Sequence, residues 1–207
     1  HVRHIENLAN MAKQGLFHYR GRGNKADAPF YSGECAMATA SSSTYASIKK
    51  NAKFDFGIAP LPYYPDVAGA PQNTIIGGAS LWVMSGKKPA EYKGVAAFFN
   101  HLTNAEVQAE SHKRTGYLPI TMAALALTEK SGFYKANPGT DTAVNQMIRK
   151  TTDKSRGVRL GNFNQIRAIM DEELELVWAG KKTAKEALDA AVKRGNEQLE
   201  RFQKANK

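Results

Sequence analysis

Two stretches of the sequence carry groups that could bind an anion. Ser41-Ser42-Ser43-Thr44 opens a predicted helix directly after a short predicted strand. Exposed amides and hydroxyls at a helix start can hold a phosphate or a sugar hydroxyl, although simple N-capping explains the same pattern. Arg167 is predicted in the first turn of a long helix that Gly161-Asn162 opens. A cation is unfavourable for the helix dipole there, so Arg167 indicates an anionic partner.

A glycine pair marks a third candidate contact. Gly77-Gly78 lies inside the stretch Asn73–Met84, which reads N-T-I-I-G-G-A-S-L-W-V-M. The flanking apolar runs predict two buried strands. Two residues without Cβ atoms fit either a β-bulge or a close approach of the backbone to a ligand. Both interpretations stay open on this stretch alone.

Groups that would catalyse a reaction or bind a metal are scarce. No H-E-x-x-H spacing, P-loop or G-x-S-x-G string occurs, and Asp171-Glu172-Glu173 are helix neighbours whose side chains point apart. A G-x-G-x-x-A string at Gly21–Ala26 lacks the preceding strand and the following helix of a dinucleotide site. Cys35 is the single cysteine, which excludes an internal disulfide. We therefore expect a binding protein with no enzymatic activity, no cofactor and no metal site.

Composition sets wider bounds on function. The 207 residues carry a formal net charge of +10, which suits a nucleic acid, an acidic ligand or a membrane surface. The 29 Lys and Arg residues are spread along the chain without the aromatic interleaving of a nucleic-acid groove, so we expect no nucleic-acid partner. No run is long enough for a transmembrane helix, and residues 1–5 contain no signal-peptide core. The abrupt helical start predicts that upstream sequence is missing.

Helical periodicity, capping residues and breakers predict the elements that hold these groups. Predicted helices are 2–15, 29–34, 41–54, one from Pro89, one capped by Thr103 and Glu106 that ends at Gly116, 122–130, 141–149, one from Gly161, and one capped by Thr183 and Glu186. Predicted strands are 35–40, 54–59 and the two apolar runs of Asn73–Met84.

Several long strings, in order, resemble one family. They read C-A-M-A-T-A-S-S, A-P-Q-N-T-I-I-G-G-A-S-L-W-V-M, T-G-Y-L-P-I-T, G-F-Y-K-A-N-P-G-T-D-T-A and R-L-G-N-F-N-Q-I-R. The resemblance is to the periplasmic glycerol-3-phosphate-binding proteins of ABC importers, within the wider family of extracellular solute-binding proteins related to maltose-binding proteins. It runs through all 207 residues and covers only the C-terminal half of such a protein.

The resemblance implies an α/β, two-lobe periplasmic binding protein fold (type II), of which this chain is the C-terminal portion. Residues 1–56 and 121–207 would belong to the C-terminal lobe, and residues 57–120 would complete the N-terminal lobe. The rest of that lobe, the N-terminal half of the same protein, would be absent from this chain. Phe56-Gly57 and Pro119-Ile120 are the implied hinges.

The resemblance also implies four ligand contacts. They are Ser41 through its hydroxyl or a helix-start amide, Gly78 through its backbone N–H, Tyr117 through its phenol, and Arg167 through a charge-assisted contact with phosphate. Ser43 departs from the family pattern, which has a glycine there, and so does the basic loop after Met147. These differences could tune the rim of the pocket, and neither removes an implied contact.

The implied function is that of a periplasmic solute-binding subunit. It would capture glycerol 3-phosphate or a glycerophosphodiester such as glycerophosphocholine and deliver it to the membrane permease of an ABC importer. The alternatives are a binding protein for a neutral sugar or oligosaccharide, a nucleic-acid-binding module, and an enzyme whose catalytic half is missing. Arg167 disfavours the neutral sugar, because a buried guanidinium prefers a charged partner.

Overall fold

The computed structural model describes residues 1–206, and α-helices dominate them. In chain order the helices are α1 (Val2–Lys13), α2 (Asp27–Tyr31), α3 (Tyr45–Asn51), α4 (Pro89–Leu102), α5 (Ala105–Thr115), α6 (Met122–Lys130), α7 (Phe133–Ala136), α8 (Thr142–Met147), α9 (Phe163–Trp178) and α10 (Ala184–Ala205). A single 3₁₀ turn, Ser42–Thr44, leads directly into α3.

Sequence signals at helix ends are confirmed at several positions. The Thr183 hydroxyl accepts from the Glu186 N–H at 3.2 Å, and a Glu186 carboxylate oxygen accepts from the Thr183 N–H at 2.9 Å, which completes the predicted capping box. Gly116 ends α5 with a φ of 76°, the left-handed conformation that glycine adopts without strain. Helix α6 has its predicted bounds.

Other local predictions are wrong. Asn104, and not Thr103, caps α5: its side-chain oxygen accepts from the N–H groups of Glu106 and Val107 at 2.9 and 3.2 Å. Thr103 instead donates its hydroxyl to the Phe99 carbonyl at 3.0 Å. The helix predicted from the serine run to Phe54 ends at Asn51, and α7 has no counterpart among the predicted helices. Neighbouring cap-forming residues compete, and the backbone conformation decides between them.

The segments predicted as strands run without helix through 35–40, 54–59 and 73–84, and no strand pairing is assigned among residues 1–206. The apolar side chains of Asn73–Met84 are exposed, up to 87% for Trp82. The prediction that these two runs are buried is therefore wrong for the residues that the structure describes.

Residues 1–26 and the chain from Val158 onward form one compact unit, here called unit 1. Helix α10 packs along α9, and α1 packs against both. The buried apolar side chains of this unit are Ile166, Ile169, Val177, Ala184 and Ala187. They recur at helical spacing, which is the pattern that predicted both long helices.

Glu173 is a buried carboxylate on α9, and no sequence pattern distinguishes it from its exposed acidic neighbours. Glu173 is only 4% exposed. Lys182 donates to one carboxylate oxygen at 2.5 Å, and Arg194 donates to the other at 2.8 Å. These hydrogen bonds hold the pKa of Glu173 below its usual range. The two cations therefore tie the turn before α10, and the third turn of α10, to α9.

We expect Glu173→Gln to lower the free energy of unfolding by about 1–3 kcal/mol, because two charge-assisted hydrogen bonds lose their anion. Urea unfolding followed by circular dichroism measures this. The wild-type contribution is present above the unfolded carboxyl pKa and is lost as the pH falls through the lowered folded pKa. Glu172→Gln is the matched control: Glu172 is half exposed and within residues 1–206 its ion pair is with Arg194, so its loss should cost less than about 1 kcal/mol. Equal losses in both variants would contradict the role of burial.

Residues 27–157 form the second compact unit, here called unit 2. Helix α5 packs against α6 and α3, and α6 packs against α7. The buried apolar residues are Ile48, Ala109, Ala124, Leu125 and Val144. The side chain of Gln146 accepts from the Leu61 N–H at 2.8 Å, and its carbonyl accepts from the Thr74 N–H at 3.3 Å. These bonds fix two extended segments against the end of α8.

The family resemblance implies one lobe of residues 1–56 with 121–207 and a segment, residues 57–120, of the other lobe. This assignment stays a prediction.

The helices and side chains bear on two further features, a membrane span and a metal site. Across the described 206 residues, no helix joins the length and apolar character needed to cross a membrane. Nor do three or more His, Cys, Asp or Glu side chains among them gather where a metal ion could be held.

Candidate ligand-binding site

The serine run forms the N-terminal turn before α3. Ser41 is extended, with φ −72° and ψ 147°, and its hydroxyl oxygen accepts from the Ser43 N–H at 3.4 Å. The Thr44 hydroxyl donates to the Ser41 carbonyl at 2.8 Å. Ser41 is thus the predicted N-cap, and it is exposed. The Ser41 and Ser43 hydroxyl oxygens also lie 3.0 Å apart, and when Ser43 donates in that bond the Ser41 hydroxyl keeps its own proton for a ligand.

Gly116 brings the end of α5 against the serine turn. A Cβ atom built on Gly116 would meet the carbonyl oxygen of Ser42 well inside van der Waals contact, and the Cβ of Tyr45 at 3.3 Å. The missing side chain and the φ of 76° therefore both require glycine at this position. The next residue is Tyr117, so this contact joins the backbone beside Ser41 to the backbone beside Tyr117.

Tyr117 and Gly78 lie side by side. A Cβ built on Gly78 would lie 3.7 Å from Cε1 of the Tyr117 ring, and the φ of Gly78 is 111°. Gly77 has no such φ, so the unusual backbone conformation of the pair belongs to Gly78. Tyr117 as a residue is 53% exposed, and its phenol makes no hydrogen bond to any of residues 1–206. Both groups are accessible to a ligand.

The sequence-predicted site residues divide between the two units. Ser41, Gly78 and Tyr117 belong to unit 2, where Gly116 contacts the Ser42 backbone and the Tyr117 ring lies beside Gly78. We call these three residues the unit 2 cluster. Arg167 belongs to unit 1.

Arg167 is the fifth residue of α9, which begins at Phe163. The prediction that it lies in the first turn is wrong, and the dipole effect is weaker from the second turn onward. Arg167 is exposed and makes no hydrogen bond or ion pair within the described part of the chain. An unpaired guanidinium offers five N–H donors in a planar fork, which suits the oxygens of a phosphate or carboxylate.

A second arginine of unit 1 is already occupied. Arg22 donates through Nε and Nη2 to the two carboxylate oxygens of Glu175 at 2.8 and 2.6 Å. The Tyr19 hydroxyl also donates to Glu175 at 2.8 Å. These hydrogen bonds lower the pKa of Glu175 to about 2 and raise that of Arg22. The glycine-rich loop at Gly21–Ala26 therefore holds an internal salt bridge, consistent with the failure of the dinucleotide motif.

A buried histidine contacts the backbone of Tyr117, one residue of the unit 2 cluster. His112, on α5, is 3% exposed, with Nδ1 2.7 Å from the Tyr117 carbonyl oxygen and Nε2 2.9 Å from the Tyr134 hydroxyl. Burial lowers the pKa of His112 and raises that of Tyr134 to about 12. Metal spacing gives no hint of this residue. The available sequence signal is its place three residues after Ala109, on the buried face of α5.

Residues 2–142 match the family model described as bacterial extracellular solute-binding protein. The chain belongs to this family of solute-binding proteins. It is 55% identical over all 207 residues to the sn-glycerol-3-phosphate-binding periplasmic protein UgpB of Pectobacterium atrosepticum, and 54% identical to that of Salmonella typhimurium. The chain spans 47% of the length of each of these relatives. The family resemblance found in the sequence is confirmed.

The fold of this solute-binding protein has a solved counterpart. The structure of UgpB from Mycobacterium tuberculosis in complex with glycerophosphocholine superimposes with a TM-score of 0.78, at 23% identity. The match covers 97% of this chain and 49% of that one. It confirms the fold class, a portion of a periplasmic binding protein fold.

Proposed function

We propose that the full-length protein carrying this chain is the solute-binding subunit of an ABC importer. It captures glycerol 3-phosphate or a glycerophosphodiester such as glycerophosphocholine in the periplasm and delivers it to the membrane permease. It catalyses no reaction on the ligand. The remaining half of the binding protein is the partner that completes the ligand site.

The observation that carries this proposal is the 54–55% identity, over every residue of the chain, to proteins named as sn-glycerol-3-phosphate-binding. The Mycobacterium tuberculosis neighbour was crystallised with glycerophosphocholine, which supports the extension from a phosphomonoester to a phosphodiester. Both ligands share a glycerol and an anionic phosphate. A site for them needs hydroxyl-binding groups and at least one cation.

The four candidate residues supply those groups. Arg167 is exposed and unpaired within residues 1–206, so its guanidinium is assigned to the phosphate. The Tyr117 hydroxyl can hydrogen-bond glycerol or phosphate oxygens, and so can the Ser41 hydroxyl when Ser43 is the donor in the bond between the two serines. Gly78, beside the Tyr117 ring, offers a backbone N–H that no side chain of its own covers.

Calorimetry on the full-length protein tests the ligand class. We expect glycerol 3-phosphate and glycerophosphocholine to bind at least about 100-fold more tightly than maltose or glycerol, because the neutral compounds leave Arg167 without an anion. Tight binding of maltose with none of either phosphate ester would instead support the neutral-sugar alternative.

The other function classes have their own controls in the same preparation. Release of glycerol 3-phosphate or choline from glycerophosphocholine would indicate an enzyme, and we expect none. Association with arbitrary DNA that weakens steeply with salt would indicate a nucleic-acid module.

A further inference from the structure

The His112 side chain joins the candidate ligand residue Tyr117 to a second helix. Its Nδ1 lies 2.7 Å from the Tyr117 carbonyl oxygen, and its Nε2 lies 2.9 Å from the hydroxyl of Tyr134 on α7. The imidazole also contacts the Phe133 ring edge to face, with centroids 5.9 Å apart. The ring is thus clamped between α5 and α7.

The direction of both hydrogen bonds follows from the carbonyl. A carbonyl oxygen only accepts, so Nδ1 must carry the proton and donate. In the neutral ring Nε2 then has the lone pair, and the Tyr134 hydroxyl donates to it. The neutral form fits the burial of this site, because a buried imidazolium would lose its hydration. The result is a fixed relay from the Tyr134 hydroxyl through His112 to the Tyr117 carbonyl.

This relay controls the backbone of Tyr117 and leaves its side chain free. The Tyr117 N–H donates to the Thr115 hydroxyl at 3.1 Å, and its carbonyl accepts from His112, so both main-chain polar groups are held. The phenol has no such bond within residues 1–206 and passes beside Gly78. Because Gly116 precedes Tyr117 in the left-handed conformation, the chain has already left α5 and no helical bond fixes the Tyr117 carbonyl.

We propose that His112 is a positioning residue for ligand binding: together with Tyr134 it fixes the Tyr117 backbone so that the phenol is presented to the ligand. This inference rests on the proposed function, in which Tyr117 contacts the phosphate ester. His112 itself is buried and touches no ligand.

Two substitutions of His112 in the full-length protein separate the relay from simple packing. In His112→Asn the side-chain amide can occupy the place of Nδ1 and still donate to the Tyr117 carbonyl. In His112→Leu no donor remains. We expect His112→Leu to weaken glycerol 3-phosphate binding about 10-fold and His112→Asn to weaken it by less than about 3-fold. Equal losses in the two variants would overturn the hydrogen-bonded relay.

A double-mutant cycle shows whether His112 acts through the Tyr117 side chain. In the Tyr117→Phe background the phenol hydroxyl is gone, so His112→Leu should cause less than about a 2-fold further loss. The same 10-fold loss in both backgrounds would assign His112 a general structural role. Thr128→Val is the stability control: it removes a buried hydroxyl that donates to Ala124 within α6, and it should leave ligand affinity unchanged.

A measurement without ligand keeps the inference separate from the proposed function. Spectra of protein with ¹³C-labelled tyrosine rings, with Tyr117 assigned by its loss in Tyr117→Phe, report the ring environment directly. The Tyr117 signal should shift in His112→Leu and stay near its wild-type position in His112→Asn. An unmoved signal in His112→Leu overturns the positioning role. If wild-type protein binds no phosphate ester while the signal shifts as expected, the proposed function fails and the control of Tyr117 by His112 stands.

Discussion

Replacing Arg167 with alanine in the full-length protein is expected to weaken glycerol 3-phosphate binding about 100-fold, as measured by calorimetry. The guanidinium is exposed and has no internal anion within residues 1–206, so its removal breaks no hydrogen bond of the described fold. Its expected contribution is a charge-assisted contact with phosphate, and losing such contacts costs about 2–3 kcal/mol, or about two orders of magnitude in affinity.

Matched variants give this prediction its specificity. Arg201→Ala removes another exposed arginine of unit 1, on α10, that also makes no ion pair within the described chain, and it should change affinity by less than about 2-fold. Arg167→Lys keeps the charge and loses the planar fork, so an intermediate loss is expected. Wild-type affinity in Arg167→Ala would show that phosphate is bound by other groups. An equal loss in Arg201→Ala would indicate only long-range attraction by the positive protein.

Helices and several of their ends could be predicted because their signals are local. The Thr183–Glu186 capping box and the left-handed Gly116 depend on residues a few positions apart, and both are present. Asn104 shows the limit of such signals. It competes with the adjacent Thr103 for the same helix start, and the sequence favours the wrong one, because cap choice depends on the backbone conformation of the incoming chain.

Buried polar side chains could not be predicted from sequence periodicity, because their partners come from other parts of the fold. Glu173 lies beside the exposed acidic residues Asp171 and Glu172, yet Lys182 from the turn before α10 and Arg194 from α10 contact it in a buried position. Periodicity predicts which face of a helix is apolar, but it does not predict which charged side chain forms buried ion pairs. The same holds for His112, whose two hydrogen bonds come from Tyr117 and Tyr134.

The candidate site was found from resemblance more than from physical pattern. Gly77-Gly78 alone fits a bulge as well as a ligand contact, and the structure adds that the left-handed φ and the Tyr117 contact both belong to Gly78. Ser41 fulfils its capping role, which neither requires nor prevents a ligand. The contact of Gly116 with Ser42 could not be predicted from the sequence, because it joins segments more than 70 residues apart.

Gly116→Ala is expected to lower the free energy of unfolding by about 3–4 kcal/mol, because the added methyl group meets both an unfavourable backbone conformation and a steric overlap. The φ of 76° disfavours any residue with a Cβ, and that Cβ would overlap the Ser42 carbonyl oxygen, which belongs to the backbone and cannot rotate away. Relief of the overlap must move the serine turn or the chain entering Tyr117. Ligand affinity should therefore fall as well, by about 10-fold, in protein that is still folded at the assay temperature.

Gly132→Ala separates the two sources of strain in this prediction. Gly132 lies in the same unit at the start of α7, with a φ of 75°, and a Cβ there would meet nothing within 4 Å. Its substitution should cost only the left-handed conformation, about 1–2 kcal/mol, and should leave ligand affinity unchanged. The excess loss in Gly116→Ala then measures the contact with Ser42. Urea unfolding and calorimetry could instead give the same free energy of unfolding and the same ligand affinity for the two variants. The close approach of α5 to the serine turn would then contribute nothing to stability or binding, and the unit 2 cluster would not be held together by Gly116.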